Sequence, residues 1–273
     1  MPAPIKLSII TVNLNNANGL SKTLESVASQ TFTDYEHIII DGGSTDGSVA
    51  IIKEYEQKYN GVPGHLYWVS EPDKGIYNAM NKGIKVASGE YCLFLNSGDW
   101  LVKNACIRNA LDQGSIIKED IIYGKSQTNK GELTYPKALD LAFFAKGTIA
   151  HQSTFIKTSL FKEIGYYDES LKIVSDWKFW MQAIVIHQCS HRYIPEIISF
   201  FEYGGISSHH NYVQLQKEER NKILNELFNL QEFHFENIIQ RMHLLDYYEN
   251  SRLVQIFKRL QTNKLYTMIR RID

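Results

Sequence analysis

The chain opens with a repeating exchange between short β-branched runs and segments of helical period. Leu7 to Val12 is an apolar, β-branched run suited to a buried strand. Leu20, Leu24, Val27 and Ala28 then recur at helical spacing, with Ser21 among the opening residues. A second strand reads from His37 to Asp41 and ends in Gly-Gly-Ser-Thr-Asp-Gly, where Ser44, Thr45 or Asp46 can cap a helix carrying Val49, Ile52 and Tyr55. Leu66 to Val69 is a third strand, Ile76, Ala79, Met80, Gly83 and Ala87 mark a third helix, and Tyr91 to Leu95 is a fourth strand. This β-α-β-α-β-α-β order predicts an α/β fold with a mostly parallel sheet flanked by helices.

In such sheets ligands bind beyond the carboxyl ends of the strands. The four strand ends therefore carry the chemical information: Thr11-Val12-Asn13, Asp41-Gly42-Gly43, Ser70-Glu71 and Asn96-Ser97-Gly98-Asp99. All are polar, and three hold carboxylates or amides in Gly/Ser-rich turns. The stretch from about 121 to 203 is less regular, with a strand at Ile121 to Tyr123 and helices around Leu160 to Ile164 and Trp177 to Ile186. From about Tyr212 onward the pattern is almost wholly helical.

Composition narrows the classes. A length of 273 residues allows one large domain plus a helical appendage. A formal net charge of −1 supplies no global electrostatic reason to expect nucleic acid. Cys92, Cys106 and Cys189 are widely spaced and odd in number, which suits a reducing compartment, and Cys92 lies in an apolar run as a core residue. The N-terminus shows no signal-peptide pattern, and no apolar stretch approaches the roughly 18 residues of a membrane span. The expected location is cytoplasmic.

Five segments in order, LSIITVNLNN, IDGGSTDGS, SEPDKGIYNAMNKGIKVASGEY, FLNSGDW and SDWKFW, resemble family 2 glycosyltransferases of the GT-A fold, in the bacterial branch that builds surface polysaccharides. The resemblance spans about residues 5 to 208. It implies a domain at 1–208, with a donor half at 1–100 and an acceptor half at 101–208, followed by a C-terminal helical extension at 209–273. It also implies an inverting transfer of a sugar from a nucleoside diphosphate donor, a UDP-sugar, to a hydroxyl of a glycan or lipid-linked glycan.

The residues support that chemistry piece by piece. The Asp41 carboxylate can accept the imide N–H of a uracil ring, with Thr11 and Asn13 beside it; the plainer reading of this turn is a helix cap. Asp73 and Lys74 match family positions near the donor, where a lysine and helix-start N–H groups suit a diphosphate. Asn96, Ser97 and Asp99 form the turn where a Mg²⁺ or Mn²⁺ would bridge the phosphates, since hard cations take oxygen ligands. The sequence departs from the family here: Asn96 and Gly98 stand where carboxylates are common, leaving Asp99 as the one anionic ligand. His209, in a segment resembling the loop that closes over the donor, is a candidate further metal ligand or a solvated loop residue. Asp176 matches the catalytic base, which takes the acceptor's hydroxyl proton; alternatively it caps the helix that follows. Trp177 and Trp180 are expected near it, where partial burial would raise its pKa. His151, in a His-Gln pair, lines the acceptor side or is structural.

Leu253, Ile256, Phe257, Leu260, Leu265 and Ile269, interleaved with Lys258, Arg259, Lys264, Arg270 and Arg271, form a basic amphipathic pattern. Such a helix lies on an anionic membrane surface at the inner face, packs inside the protein, or forms a homodimer contact. A dinucleotide dehydrogenase is disfavoured because Asn13-Leu14-Asn15-Asn16 replaces the Gly-rich loop after the first strand. The missing carboxylates at 96 and 98 keep open a non-catalytic or weakly active nucleotide-sugar-binding protein of the same fold.

Overall fold

The computed structural model describes residues 5–59, 65–111, 118–201 and 212–228. The chain divides into two compact units, Met1–Arg220 and Asn221–Asp273. His209 and the basic amphipathic pattern lie outside the described residues.

The first half alternates as its sequence predicts: β1 (Leu7–Asn13), α1 (Ala17–Ala28), β2 (Tyr35–Asp41), α2 (Ser48–Tyr59), β3 (His65–Ser70), α3 (Ile76–Val86) and β4 (Tyr91–Phe94). The four strands are parallel in the order β3-β2-β1-β4. Every residue of β1 and β2 is buried. The reason is that both sheet faces are covered, so alternate side chains meet different helices. Leu7 and Ile9 join the cluster containing Cys106, Ile107 and Ala110 of α4 (Cys106–Leu111), while Ile10 meets α3 at Gly83. Leu20 and Leu24 of α1 pack with Ile39 and with Ile52 of α2.

The second half extends the same sheet rather than building another. β5 (Trp100–Leu101), β6 (Ile121–Thr128), β7 (Gly131–Leu133), β8 (Thr154–Lys157) and β9 (His191–Phe201) complete the order β3-β2-β1-β4-β8-β6-β9-β5, with β7 on β6. β8 is antiparallel to both its neighbours, β4 and β6, whereas β6 and β9 are parallel. The sheet is therefore mixed, with its parallel part carrying the first four strands. α5 (Leu141–Lys146) precedes β8, and α6 (Leu160–Glu163) follows it. The helix expected over 177–186 forms as α7 (Ser175–Trp180) and then widens to π pitch over Met181–Ile186. α8 (Val213–Phe228) is the last described element. Cys92 and Cys106 are buried free thiols, and burial raises Cys92 to a pKa of about 12. Among the described residues no helix is long and apolar enough to cross a membrane.

Candidate active site

Register alone assembles the first part of the site. Asn13 pairs with Asp41 across β1 and β2, and Asp41 pairs with Ser70 across β2 and β3. Three polar strand ends thus lie side by side at the carboxyl edge of the sheet. Asp41 is fully buried, and both its oxygens are engaged. Oδ1 accepts from Asn13 Nδ2 at 2.7 Å and Ser44 Oγ at 2.6 Å; Oδ2 accepts from the Ser44 amide at 2.9 Å and Ser70 Oγ at 2.6 Å. Burial by itself would raise the Asp41 pKa, but the donors from Ser44, Ser70 and Asn13 outweigh it and hold the carboxyl below its ordinary value. Asp41 shapes the Gly42-Gly43-Ser44 turn from within, and its four acceptor sites are filled by the protein itself.

Thr11 is also fully buried. Its hydroxyl pairs with His37 Nε2 at 2.9 Å, and burial drops His37 to a pKa of about 3, so that ring is neutral. Asp46, rather than Ser44 or Thr45, secures the start of α2: Oδ1 accepts from the Ser48 amide and hydroxyl at 3.1 and 2.6 Å. Its other oxygen accepts from the Ala17 amide at 2.8 Å and so ties the starts of α1 and α2 together. Asp73 borders the same turn. A methyl group on Gly42 would lie 2.5 Å from Asp73 Oδ2, so a side chain there would push the Asp73 carboxylate aside. Asp73 Oδ1 accepts from the Gly75 amide at 2.8 Å, and Lys74 remains exposed. Leu14, which the sequence reading did not single out, is exposed beside Gly42.

The second part forms where the acidic turn, the segment before β8 and the start of α7 meet. Ser97 hydrogen-bonds to Val12 O through its amide, which hangs the turn on the end of β1. Thr23 of α1 accepts from the Gly98 amide at 3.0 Å and donates to Asp99 O at 2.7 Å, while Asn16 Nδ2 donates to Ser97 O at 2.9 Å. Gly98 has φ of +104°, a left-handed conformation. A side chain there would be strained, which gives a physical reason for the absence of a carboxylate at this position.

His151 joins this turn to Asp176. Its Nδ1 lies 3.1 Å from Asp176 Oδ2, and its Nε2 lies 3.2 Å from Asn96 Nδ2. The pattern is self-consistent with the proton on Nδ1, donating to Asp176 while Nε2 accepts from Asn96. Asp176 sits in the first turn of α7, where Val174 is the cap, so it does not cap the helix itself. Its Oδ1 accepts from the Trp177 amide at 2.8 Å and lies 3.4 Å from the Tyr77 hydroxyl. Oδ2 therefore faces His151. Trp177 and Trp180 are both buried in the core, with Trp177 Nε1 donating to Phe144 O at 2.9 Å.

The charges in this cluster interact. Burial pushes the Asp99 carboxyl up to about 7, partly offset by the attraction of His151. Burial alone would lower His151, but the hydrogen bond to Asp176 and the charges of Asp176 and Asp99 reverse that, leaving it above its ordinary 6.5. The sequence placed Asn96 and Asp176 at candidate roles separately; the histidine joining them had only a two-residue His-Gln signal.

A mixed α/β sheet with polar strand ends and a carboxylate-bearing turn after the fourth strand has its ligand-binding edge beyond the carboxyl ends of β1 to β4. The model of the family described as glycosyl transferase family 2 matches residues 8–174. An uncharacterised glycosyltransferase of Mycobacterium tuberculosis H37Rv is 33% identical over 213 residues, covering 74% of this chain and 77% of that protein. A PGL/p-HBAD biosynthesis glycosyltransferase of Mycobacterium bovis BCG is 32% identical over 211 residues, covering 76% of this chain and 81% of its own length. The chain belongs to glycosyltransferase family 2. Solved structures agree on the fold. Staphylococcus aureus TarS residues 1–349 in complex with UDP-GlcNAc superposes with a TM-score of 0.65 at 22% identity, covering 91% of this chain and 74% of that one. The mannosyltransferase PcManGT of Pyrobaculum calidifontis, in complex with GDP-Man and Mn²⁺, gives 0.64 at 12% identity, covering 95% and 80%. Asp176 lies two residues beyond the matched region.

Proposed function

We propose that this glycosyltransferase is inverting, and moves a sugar from a nucleoside diphosphate, most simply a UDP-sugar, to a hydroxyl of a glycan or lipid-linked glycan in cell-surface polysaccharide synthesis. The observation that carries it is the Asp176-His151-Asn96 chain, which ties a candidate base to the turn where a leaving diphosphate would rest. The TarS complex with UDP-GlcNAc, and the part of the mycobacterial relative in PGL/p-HBAD biosynthesis, support the donor and acceptor classes.

In this reading the acceptor hydroxyl gives its proton to Asp176 as its oxygen bonds to the anomeric carbon. The bond from that carbon to the diphosphate oxygen breaks on the opposite face, and the nucleoside diphosphate leaves. His151 holds Oδ2 of Asp176 in one orientation. Asn13 and the turn organised by Asp41 receive the base, with Thr11 packed behind them. Asp73, Lys74 and Ser97 border the sugar and phosphates.

The residues present fit a hard divalent cation. Asn96 Oδ1 is a buried oxygen with no hydrogen-bond partner among the described residues, in the same turn as the Asp99 carboxylate. No cluster of three protein ligands occurs among the described residues, so most ligands would come from the diphosphate. Asp99 and Asn96 would hold Mg²⁺ or Mn²⁺, with His209 as the further candidate. Such an ion supplies charge neutralisation for the departing diphosphate. The Mn²⁺ in the PcManGT complex supports this.

The test is nucleoside diphosphate release from a panel of UDP-, GDP- and dTDP-sugars, with and without Mn²⁺. Release that disappears in Asp99→Ala and Asp176→Ala bears the reading out. Tight UDP binding with no release from any donor would favour the second reading, a nucleotide-sugar-binding protein, which the single carboxylate of the Asn96–Asp99 turn supports. The proposed organisation is a donor half at 1–100, an acceptor half at 101–208 and an extension from 209, with the protein cytoplasmic and its basic C-terminal segment packed within the protein, at a dimer contact, or on the inner membrane face.

A further inference from the structure

Glu219 of α8 is buried, and both of its oxygens turn onto the backbone that leads into α7. Oε1 accepts from the Lys172 amide at 2.6 Å; Oε2 accepts from the Ile173 and Val174 amides at 3.0 and 3.2 Å. Three consecutive N–H groups thus converge on one carboxylate, forming an anion-binding concavity filled from within the chain. These residues belong to no strand and precede the first turn of α7, so their N–H groups have no partner of the regular kind. The tie falls just before Ser175 and Asp176.

The next residue grips the other flank. The Arg220 guanidinium lies over the Trp177 ring at 5.0 Å from its centroid, a cation–π contact on the residue after Asp176. From α3, Tyr77 donates to Ile173 O at 2.6 Å. Asp176 is therefore held between two ties from adjacent positions of one helix. If the only need were to dock α8, an apolar contact would serve without burying a carboxylate. A carboxylate accepting three successive amides fixes the direction of the backbone as well as its place.

We infer that Glu219 and Arg220 are positioning residues for the transfer reaction, setting the aim of the Asp176 carboxylate through the Lys172–Val174 amides and the Trp177 ring. The inference rests on the proposal that Asp176 is the base. It places Glu219 and Arg220 within the catalytic apparatus, beyond the matched family region, which ends at residue 174. A displaced base loses rate rather than donor affinity, because donor binding does not pass through it.

The experiment uses the full chain and the donor of the panel that hydrolyses fastest. It measures kcat and KM for nucleoside diphosphate release, UDP affinity by calorimetry, melting temperature, and amide hydrogen exchange over residues 172–178. For Glu219→Gln the expected result is exchange at 172–174 faster by about tenfold or more. With it comes a kcat lower by about tenfold, while KM and UDP affinity stay within about twofold. Glu219→Asp, which keeps the charge on a shorter stem, should recover part of the rate. Unchanged exchange, unchanged kcat, or an equal loss of kcat and UDP affinity overturns the inference. Should Glu219→Gln not fold, Arg220→Met leaves the three amide bonds in place and carries the same loss confined to kcat. Failure of the base assignment shows separately: Asp176→Asn would then keep releasing diphosphate while Glu219→Gln still quickened exchange.

Discussion

At Asp99, burial works against the charge that a metal-binding role requires. The carboxyl has an ordinary pKa of 3.8 and is raised to about 7 in the fold. Between those values the folded protein holds a proton that the unfolded chain has released, so stability falls as pH rises across that interval. His151 acts in the same sense. Its raised pKa gives stability that is full below 6.5 and lost as pH rises through its folded value. The melting temperature of the metal-free protein should therefore decline as pH rises from about 4 through about 7. Asp99→Asn should flatten much of that decline; parallel curves for the two proteins would refute the assignment. Asp41 presents the opposite case, a carboxylate kept charged by four donors. Asp41→Ala strands the Asn13, Ser44 and Ser70 donors, each costing about 1–3 kcal/mol when buried without a partner. It should lower both stability and UDP affinity. Unchanged UDP affinity would remove this turn from the nucleotide site. At Asp176, replacement by Asn keeps the shape and removes the base. Diphosphate release should fall by about 10²-fold or more with UDP affinity nearly intact, and an equal fall in both would count against the base role.

Among the elements, α3 shows how closely the sheet and its helices are fitted. Glycine inside a helix ordinarily costs about 0.5–1 kcal/mol relative to alanine. At Gly83 that preference reverses, because a methyl there would lie 2.5 Å from Cγ2 of Ile10, a β-branched side chain buried in β1. Gly83→Ala should destabilise the protein by about 1–3 kcal/mol by overpacking, read as a shift of the denaturant midpoint. A stabilised variant would show that α3 can move off the strand. The helical period and the β-branched runs made α1 to α3 and β1 to β4 legible in the sequence, since each carries its own local signal. β5, β7, β8 and β9 were not legible. Two of these are only two or three residues long, and Pro195 interrupts β9, so their assignment comes from pairing with β6, β4 and one another rather than from local pattern.

For the whole molecule, the sheet's register and the order of its strands bring together groups far apart in the chain. Asn96, His151 and Asp176 meet because β8 lies beside β4 and brings the segment before it to the acidic turn. The first compact unit continues to Arg220, past the end of the family resemblance, so Glu219 and Arg220 belong with the transferase domain. The basic amphipathic pattern from Arg252 to Arg271 belongs to the other unit. Deleting residues after Asn250 should weaken binding to vesicles containing anionic lipid and leave UDP affinity unchanged if that pattern is a membrane-surface helix. Equal vesicle binding by the full and shortened chains would return it to a packing or dimer contact.

The sequence by itself determined the alternating first half, the polar strand ends, and which residue types stand at each, because those depend on local period and turn chemistry. It also marked Asp99 as the lone carboxylate of its turn. Only the tertiary structure decided which of those groups face one another. Asp41 and Thr11 turned inward to partners on neighbouring strands, His151 became the link between Asn96 and Asp176, and Glu219 closed on three amides nearly fifty residues away. Such pairings depend on strand order and helix packing, and a burial that moves Asp99 to a pKa of about 7 has no local signature in the chain.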